Sequence, residues 1–184
     1  MTLFTTSRCL RAVLILVAIA PGSLEAQRRR PTQEAAPTGA WPPISIGING
    51  GYDDNSQGTV LGAQIRAPIL RNGKIELMPG GSVTFLTGLK EYQFNLDAVF
   101  AMAGQRGGLY VAGGLAARNT IYEIGSERET RMGASIALGV RSGGGSRVGV
   151  HIEVRQIYVG SEFRPRPLTL GLDFPLWGGG SRRR

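Results

Sequence analysis

The chain has 184 residues, a formal net charge of +8, 28 glycines and 7% aromatic residues. Its one cysteine, Cys9, excludes an internal disulfide, and with a single histidine, His151, the chain has no Cys/His set for a metal cluster. Abundant glycine and few aromatics favour many short strands with tight turns over a helical bundle, within one domain of ordinary size.

The first segment, "MTLFTTSRCLRAVLILVAIAPGSLEAQ", carries Arg8 and Arg11, then an apolar run from Ala12 to Ala20, then Pro21-Gly22 and a close at Leu24-Glu25-Ala26. That pattern predicts a secretory signal peptide over residues 1–26. The apolar run is too short for a transmembrane helix, which needs about 20 residues. Residues 27–43, "QRRRPTQEAAPTGAWPP", are polar and proline-rich and predict a flexible periplasmic segment. Residues 178–184, "GGGSRRR", predict a basic tail. The positive charge concentrates in these two ends, in Arg28–Arg30 and Arg182–Arg184, and residues 44–177 are close to neutral. With no basic helix or aromatic–basic stripe, a nucleic-acid partner is not expected. The basic ends suit an anionic envelope polymer or lipid head groups instead.

From Ile44 onward the pattern alternates with a period of two, the signature of a strand with one apolar and one polar face. "ISIGINGGY" places Ile44, Ile46, Ile48 and Tyr52 against Ser45, Gly47, Asn49 and Gly51. "VLGAQIRA" sets Leu61, Ala63 and Ile65 against Gly62, Gln64 and Arg66. "KIELMPGGSVTF" sets Ile75, Leu77, Val83 and Phe85 against Lys74, Glu76, Ser82 and Thr84. In "EYQFNLDAVFAM" the even positions from Tyr92 to Met102 are apolar, and Glu91, Gln93, Asn95 and Asp97 oppose them. "GLYVAGGLAAR" is ambiguous, because both faces are small or apolar. "RMGASIALGVR" sets Met132, Ala134, Ile136, Leu138 and Val140 against Arg131, Gly133, Ser135 and Gly139. "RVGVHIEVRQIY" sets Val148, Val150, Ile152, Val154 and Tyr158 against Arg147, His151, Glu153 and Arg155. "LTLGLDFPL" closes with Leu168, Leu170, Leu172, Phe174 and Leu176 against Thr169, Gly171 and Asp173. Turn chemistry such as "DDNSQG", "RNG", "TG" and "SGGGS" fills the gaps. These eight segments predict an all-β, antiparallel, up-and-down barrel over residues 44–177, which closes without edges. Their length matches the roughly 9–11 residues that a tilted strand needs to cross a bilayer.

With that pattern the chain resembles the small outer-membrane β-barrel family of the OmpA and OmpX type, over the signal peptide and residues 44–177. The resemblance implies a transmembrane barrel in the bacterial outer membrane with a structural, anchoring or adhesion role. It implies outer-membrane lipid and the barrel assembly machinery as partners, no cofactor and no catalytic activity. Three features accompany it. The longest gaps, residues 119–130 and 160–167, both fall on the side predicted to be external. Tyr52, Phe85, Tyr92 and Tyr158 fall at external strand ends and Phe100 and Phe174 towards the other rim, as two aromatic girdles; Phe94 departs from this. The polar face balances its charges, Glu76, Asp97, Glu153 and Asp173 against Arg66, Lys74, Arg131 and Arg155, among small residues, and His151 is expected to bond with Glu153 or Asp173, as a crowded lumen filled by side-chain bonds requires. The gap at 119–130 is the expected recognition loop, with Tyr122, Glu123, Glu127 and Arg128 as its candidate contacts.

Two other readings of the same residues stand beside this one. A soluble exported barrel, lipocalin-like or avidin-like, would turn the apolar faces inward around a small apolar ligand. An outer-membrane deacylase would need a nucleophile beside its base, and in "VHIEV" His151 and Glu153 share the polar face with no serine two residues on.

Overall fold

Alternation along seven of the eight segments, and the small-residue fifth one, produce strands wherever the sequence predicted them. The computed structural model describes residues 41–104, 107–122, 128–143, 148–160 and 164–177. The predicted signal peptide, most of the segment 27–43, the basic tail, and Glu123 and Glu127 lie outside the described residues. The strands are β1 (Ile44–Asp53), β2 (Gly58–Pro68), β3 (Ile75–Leu86), β4 (Leu89–Ala101), β5 (Gly107–Tyr122), β6 (Arg128–Ser142), β7 (Gly149–Val159) and β8 (Pro167–Trp177). They pair in chain order, all antiparallel, and β8 returns to β1 to close the barrel. Closure removes both edges, so no row of backbone donors is left to template another chain.

Local chemistry sets the joins. Thr87-Gly88 links β3 to β4 directly beyond the pair Leu86↔Leu89, and Gly88 takes φ +78°, which a glycine adopts without strain. Pro79 stands inside β3 opposite Leu96, on the outward phase.

The predicted 119–130 loop is not a loop. Asn119↔Thr130, Thr120↔Glu129 and Ile121↔Arg128 are paired rungs of β5 and β6, and only residues 123–127 connect the two strands. Apart from Ile121 those rungs are polar on both phases, so the period of two fades although the ladder continues. The connections at the two ends are consequently similar in length, residues 54–57, 87–88, 123–127 and 160–166 against 69–74, 102–106 and 143–148. The asymmetry lies in the strands: β5 has 16 residues and β6 has 15.

The phase of each strand decides burial. Outward residues are exposed, up to 67% for Leu115 and 78% for Met132, while Asp97 and His151 are 1% exposed inside. Several apolar residues also face inward. Met78, Val99, Ala101, Tyr110, Ala112 and Ala137 form one internal cluster, and Ala116, Ile157 and Val159 form another. The lumen is thus a mixed core rather than a purely polar one.

Candidate functional site: the lumen and the two rims

The interior is a chain of ion pairs and hydrogen bonds. At the end where β1 begins and β8 finishes, Arg141 donates to Glu76 at 2.7 Å and to the Gly104 carbonyl at 3.0 Å. Glu76 also faces Arg66 at 3.6 Å, and Arg66 faces Asp173 at 3.4 Å. Asp173 pairs with His151 Nδ1 at 2.9 Å. The Gln64 amide oxygen accepts from Arg66 at 3.1 Å. The Arg66 guanidinium lies 4.8 Å above the Tyr110 ring and donates to the Tyr110 hydroxyl at 3.3 Å. That hydroxyl donates to Glu153 at 2.8 Å, and Glu153 accepts from Arg155 Nε at 2.9 Å. Arg155 pairs with Asp97, whose other oxygen accepts from Ser135 at 2.6 Å. Farther up, Arg118 pairs with Glu91, and Thr120 donates to Glu91 at 3.5 Å. Each charge here has an opposite charge beside it, which offsets the several kcal/mol that desolvating an ion costs.

Glycine makes the room. Tyr110 stands opposite Gly139, and a Cβ there would run into its ring. His151 stands opposite Gly171 in the same way. Small residues on the polar phase are therefore the counterparts of the large ones on the next strand.

Of the residues read from the sequence as a lumen network, Arg66, Glu76, Asp97, His151, Glu153, Arg155 and Asp173 meet in this chain. Arg131 does not. It shares their phase, but it sits at the wide mouth with its side chain 46% exposed, paired with Glu129 at 2.8 Å. Water reaches it because β6 rises beyond the closed part of the lumen. Sequence reasoning missed Tyr110, Arg118 and Arg141, and it placed Glu91 on the polar face without joining it to the network. The signal for Tyr110 was Arg118: counting back by twos along "LYVAGGLAAR" puts Tyr110 on the charged, inward phase.

The rims carry the aromatics. Tyr52, Phe85, Tyr92 and Tyr158 are exposed and outward at the end remote from the barrel termini, and Phe100 is exposed at the other. Phe174 is half-buried there, and Phe94 is exposed between the two levels. Tyr122 and Arg128 are exposed at the ends of β5 and β6, Tyr122 on the inward phase beside the mouth and Arg128 on the outward one.

No family model matches the chain, and no curated protein matches it in sequence. Solved structures do match. The N-terminal β-barrel domain of Pseudomonas aeruginosa OprF aligns with a TM-score of 0.60 at 20% identity, over 74% of this chain and 99% of that one. Neisserial surface protein A, NspA, aligns with a TM-score of 0.56 at 14% identity, over 75% and 97%. The chain has the fold of the small outer-membrane β-barrels.

The surface suits that fold. Every strand turns its apolar phase outward, from Ile44, Ile46 and Ile48 on β1 to Leu168, Leu170 and Leu172 on β8. Water would penalise such a belt around the whole circumference, and hydrocarbon does not. A lipocalin-like barrel has the reverse polarity, so the soluble reading of the sequence is overturned by the direction in which the side chains point.

Proposed function

We propose that the chain is a non-enzymatic anchoring and recognition barrel of the outer membrane, with its lumen closed by its own side chains. One observation supports this above others: charged residues of seven strands, β2 to β8, converge on a network, which leaves about 40 Å³ beside Gln64, Asp97, Glu153 and Arg155 at mid-barrel below a wider space of about 230 Å³ at the mouth over Glu91 and Arg118. A single water needs about 10–15 Å³ by that measure, so the mid-barrel space suits a few trapped waters and no ion path. Eight strands enclose little more than side chains.

A catalytic role has no support in the geometry. His151 is buried and held by Asp173, and Ser135 is held by Asp97 and Arg155 on other strands. Among the described residues of the lumen, no nucleophile therefore stands beside a free base. The partners that fit are outer-membrane lipid at the belt and the barrel assembly machinery during insertion. An anionic envelope polymer is the fitting partner for Arg28–Arg30 and Arg182–Arg184, which lie outside the described residues.

The test is folding into lipid vesicles, followed by heat-modifiable migration and conductance in planar bilayers. A folded, heat-modifiable protein with no stepwise conductance is the expected result. Steady ion-conducting steps would overturn the closed lumen, and a soluble monomer that stays out of vesicles would overturn the membrane role.

A further inference from the structure

The charged residues of the described strands obey a rule with two exceptions. Asp53, Arg66, Glu76, Glu91, Asp97, Arg118, Glu129, Arg131, Arg141, Glu153, Arg155 and Asp173 all lie on the inward phase. Lys90 and Arg128 alone lie on the outward phase, among the lipid-facing residues, and both are cations. They also fall at the same height. Lys90 pairs with Ile121 and Ile121 pairs with Arg128, so one row across three strands puts the two cations on either side of a single apolar residue.

We infer that this row is a binding site for the phosphate of an outer-leaflet lipid. The two backbone positions are two strand spacings apart, about 10 Å, and each side chain is long enough to reach a phosphate lying over Ile121. Both are exposed, and neither makes an ion pair with a described residue. One rung below, Tyr92, Asn119 and Thr130 form the next row, with Asn119 donating to Thr130 at 2.9 Å. Below that, Phe94 and Met132 flank Ala117 at the top of the apolar belt. The order from the rim downward is thus cations, hydrogen-bonding groups, then an apolar surface with a shallow strip over Ala117. A phosphorylated lipid has the same order, from head group through its polar linkage to its chains. A soluble phosphate would use the first row only. Isolated cations on a hydrocarbon-facing phase are costly, which gives their position at the boundary a physical cause.

The inference rests on the membrane reading above, and the experiment separates the two. Purified full-length protein is folded in detergent, checked by heat-modifiable migration, and incubated with lipid A, phosphatidylcholine or glucosamine 1-phosphate before native mass spectrometry. Wild-type protein is expected to retain lipid A well above phosphatidylcholine, and glucosamine 1-phosphate weakly. Lys90→Gln and Arg128→Gln are each expected to weaken lipid A retention about tenfold, the loss of one charge-assisted contact. The charge-preserving pair Lys90→Arg with Arg128→Lys retains lipid A and keeps the test valid where a glutamine variant folds poorly. Arg71→Gln, at the other rim, leaves retention unchanged. Unaltered lipid A retention in folded Lys90→Gln/Arg128→Gln overturns the site, and equal retention of glucosamine 1-phosphate reassigns it to a soluble anion and overturns the lipid claim. Failure of the wild type to fold in detergent or vesicles instead refutes the membrane reading itself.

Discussion

Tyr110 and Gly139 show how the interior is held together at the level of single residues. The ring is completely buried, its hydroxyl joins Arg66 to Glu153, and its neighbour across β5 and β6 has no side chain to dispute the space. Gly139→Ala is expected to push the ring aside and break that junction, destabilising the barrel by about 2–3 kcal/mol in urea titrations in vesicles. Combining it with Tyr110→Leu is expected to cost less than the sum of the two single changes, because both act on one space. The arginines give a second comparison. Arg155→Met leaves Asp97 and Glu153 buried without their cation and is expected to cost about 3–5 kcal/mol. Arg131→Met removes only an exposed pair at the mouth, and its cost is expected at about 0–1 kcal/mol. Equal losses at the two sites would mean that the mouth is as dry as the lumen.

Among the elements, β5 and β6 stand out by length and the β7–β8 seam by weakness. The seam has the shortest register, from Gly149↔Asp173 to Val154↔Leu168. Continued upward it reaches Ile157, whose amide donates to the Pro165 carbonyl at 3.1 Å. In that register Pro165 and Pro167 occupy positions where an N–H would be returned to β7, and proline has none. Gln156, an amide on the lipid-facing phase, compensates locally by donating to the Pro165 carbonyl at 3.3 Å and accepting from Arg166 at 2.7 Å. The amide of Ile157 is therefore expected to exchange with solvent deuterium sooner than amides of β4 and β5 at the same depth. Equal protection would show that the ladder is as strong there as elsewhere. The β5–β6 extension teaches a different lesson about legibility. At this rim the inward phase faces the open mouth and the outward phase carries polar groups too, so Asn119, Thr120, Glu129 and Thr130 show no alternation, and a sequence reading that relies on alternation ends the strand early.

For the whole molecule the decisive property is which face of the sheet is dry. In a Cys9→Ser background, Leu96→Cys is expected to react with a lipid-soluble maleimide, and Asn95→Cys with neither that nor a bulky charged maleimide at an appreciable rate. Fast reaction of position 95 with the charged reagent would turn the barrel inside out. Leu96→Arg is expected to cost about 2–4 kcal/mol if position 96 lies near the bilayer midplane, and less towards a rim. A gradient of that cost along Tyr92, Leu96 and Phe100, largest in the middle, would locate the belt.

The sequence by itself determined the strands, their number, their two phases and the balance of charge on the polar phase. Each of these is a local property of residues i and i+2, and a period of two survives in any surroundings that keep one face dry. It also determined most of the lumen network, since Arg66, Glu76, Asp97, Glu153, Arg155 and Asp173 declare their phase by their charge. Periodicity is blind to which side of the sheet is the inside, and only closure of β8 onto β1 decided that the charges converge and the apolar residues face out. Closure also decided which charges meet. Arg155 and Asp97 are 58 residues apart, and Arg66 and Tyr110 are 44 apart. Pairs so distant in sequence are set by register around the ring. The same register sets Tyr110 against Gly139 and brings Lys90 and Arg128 into one row.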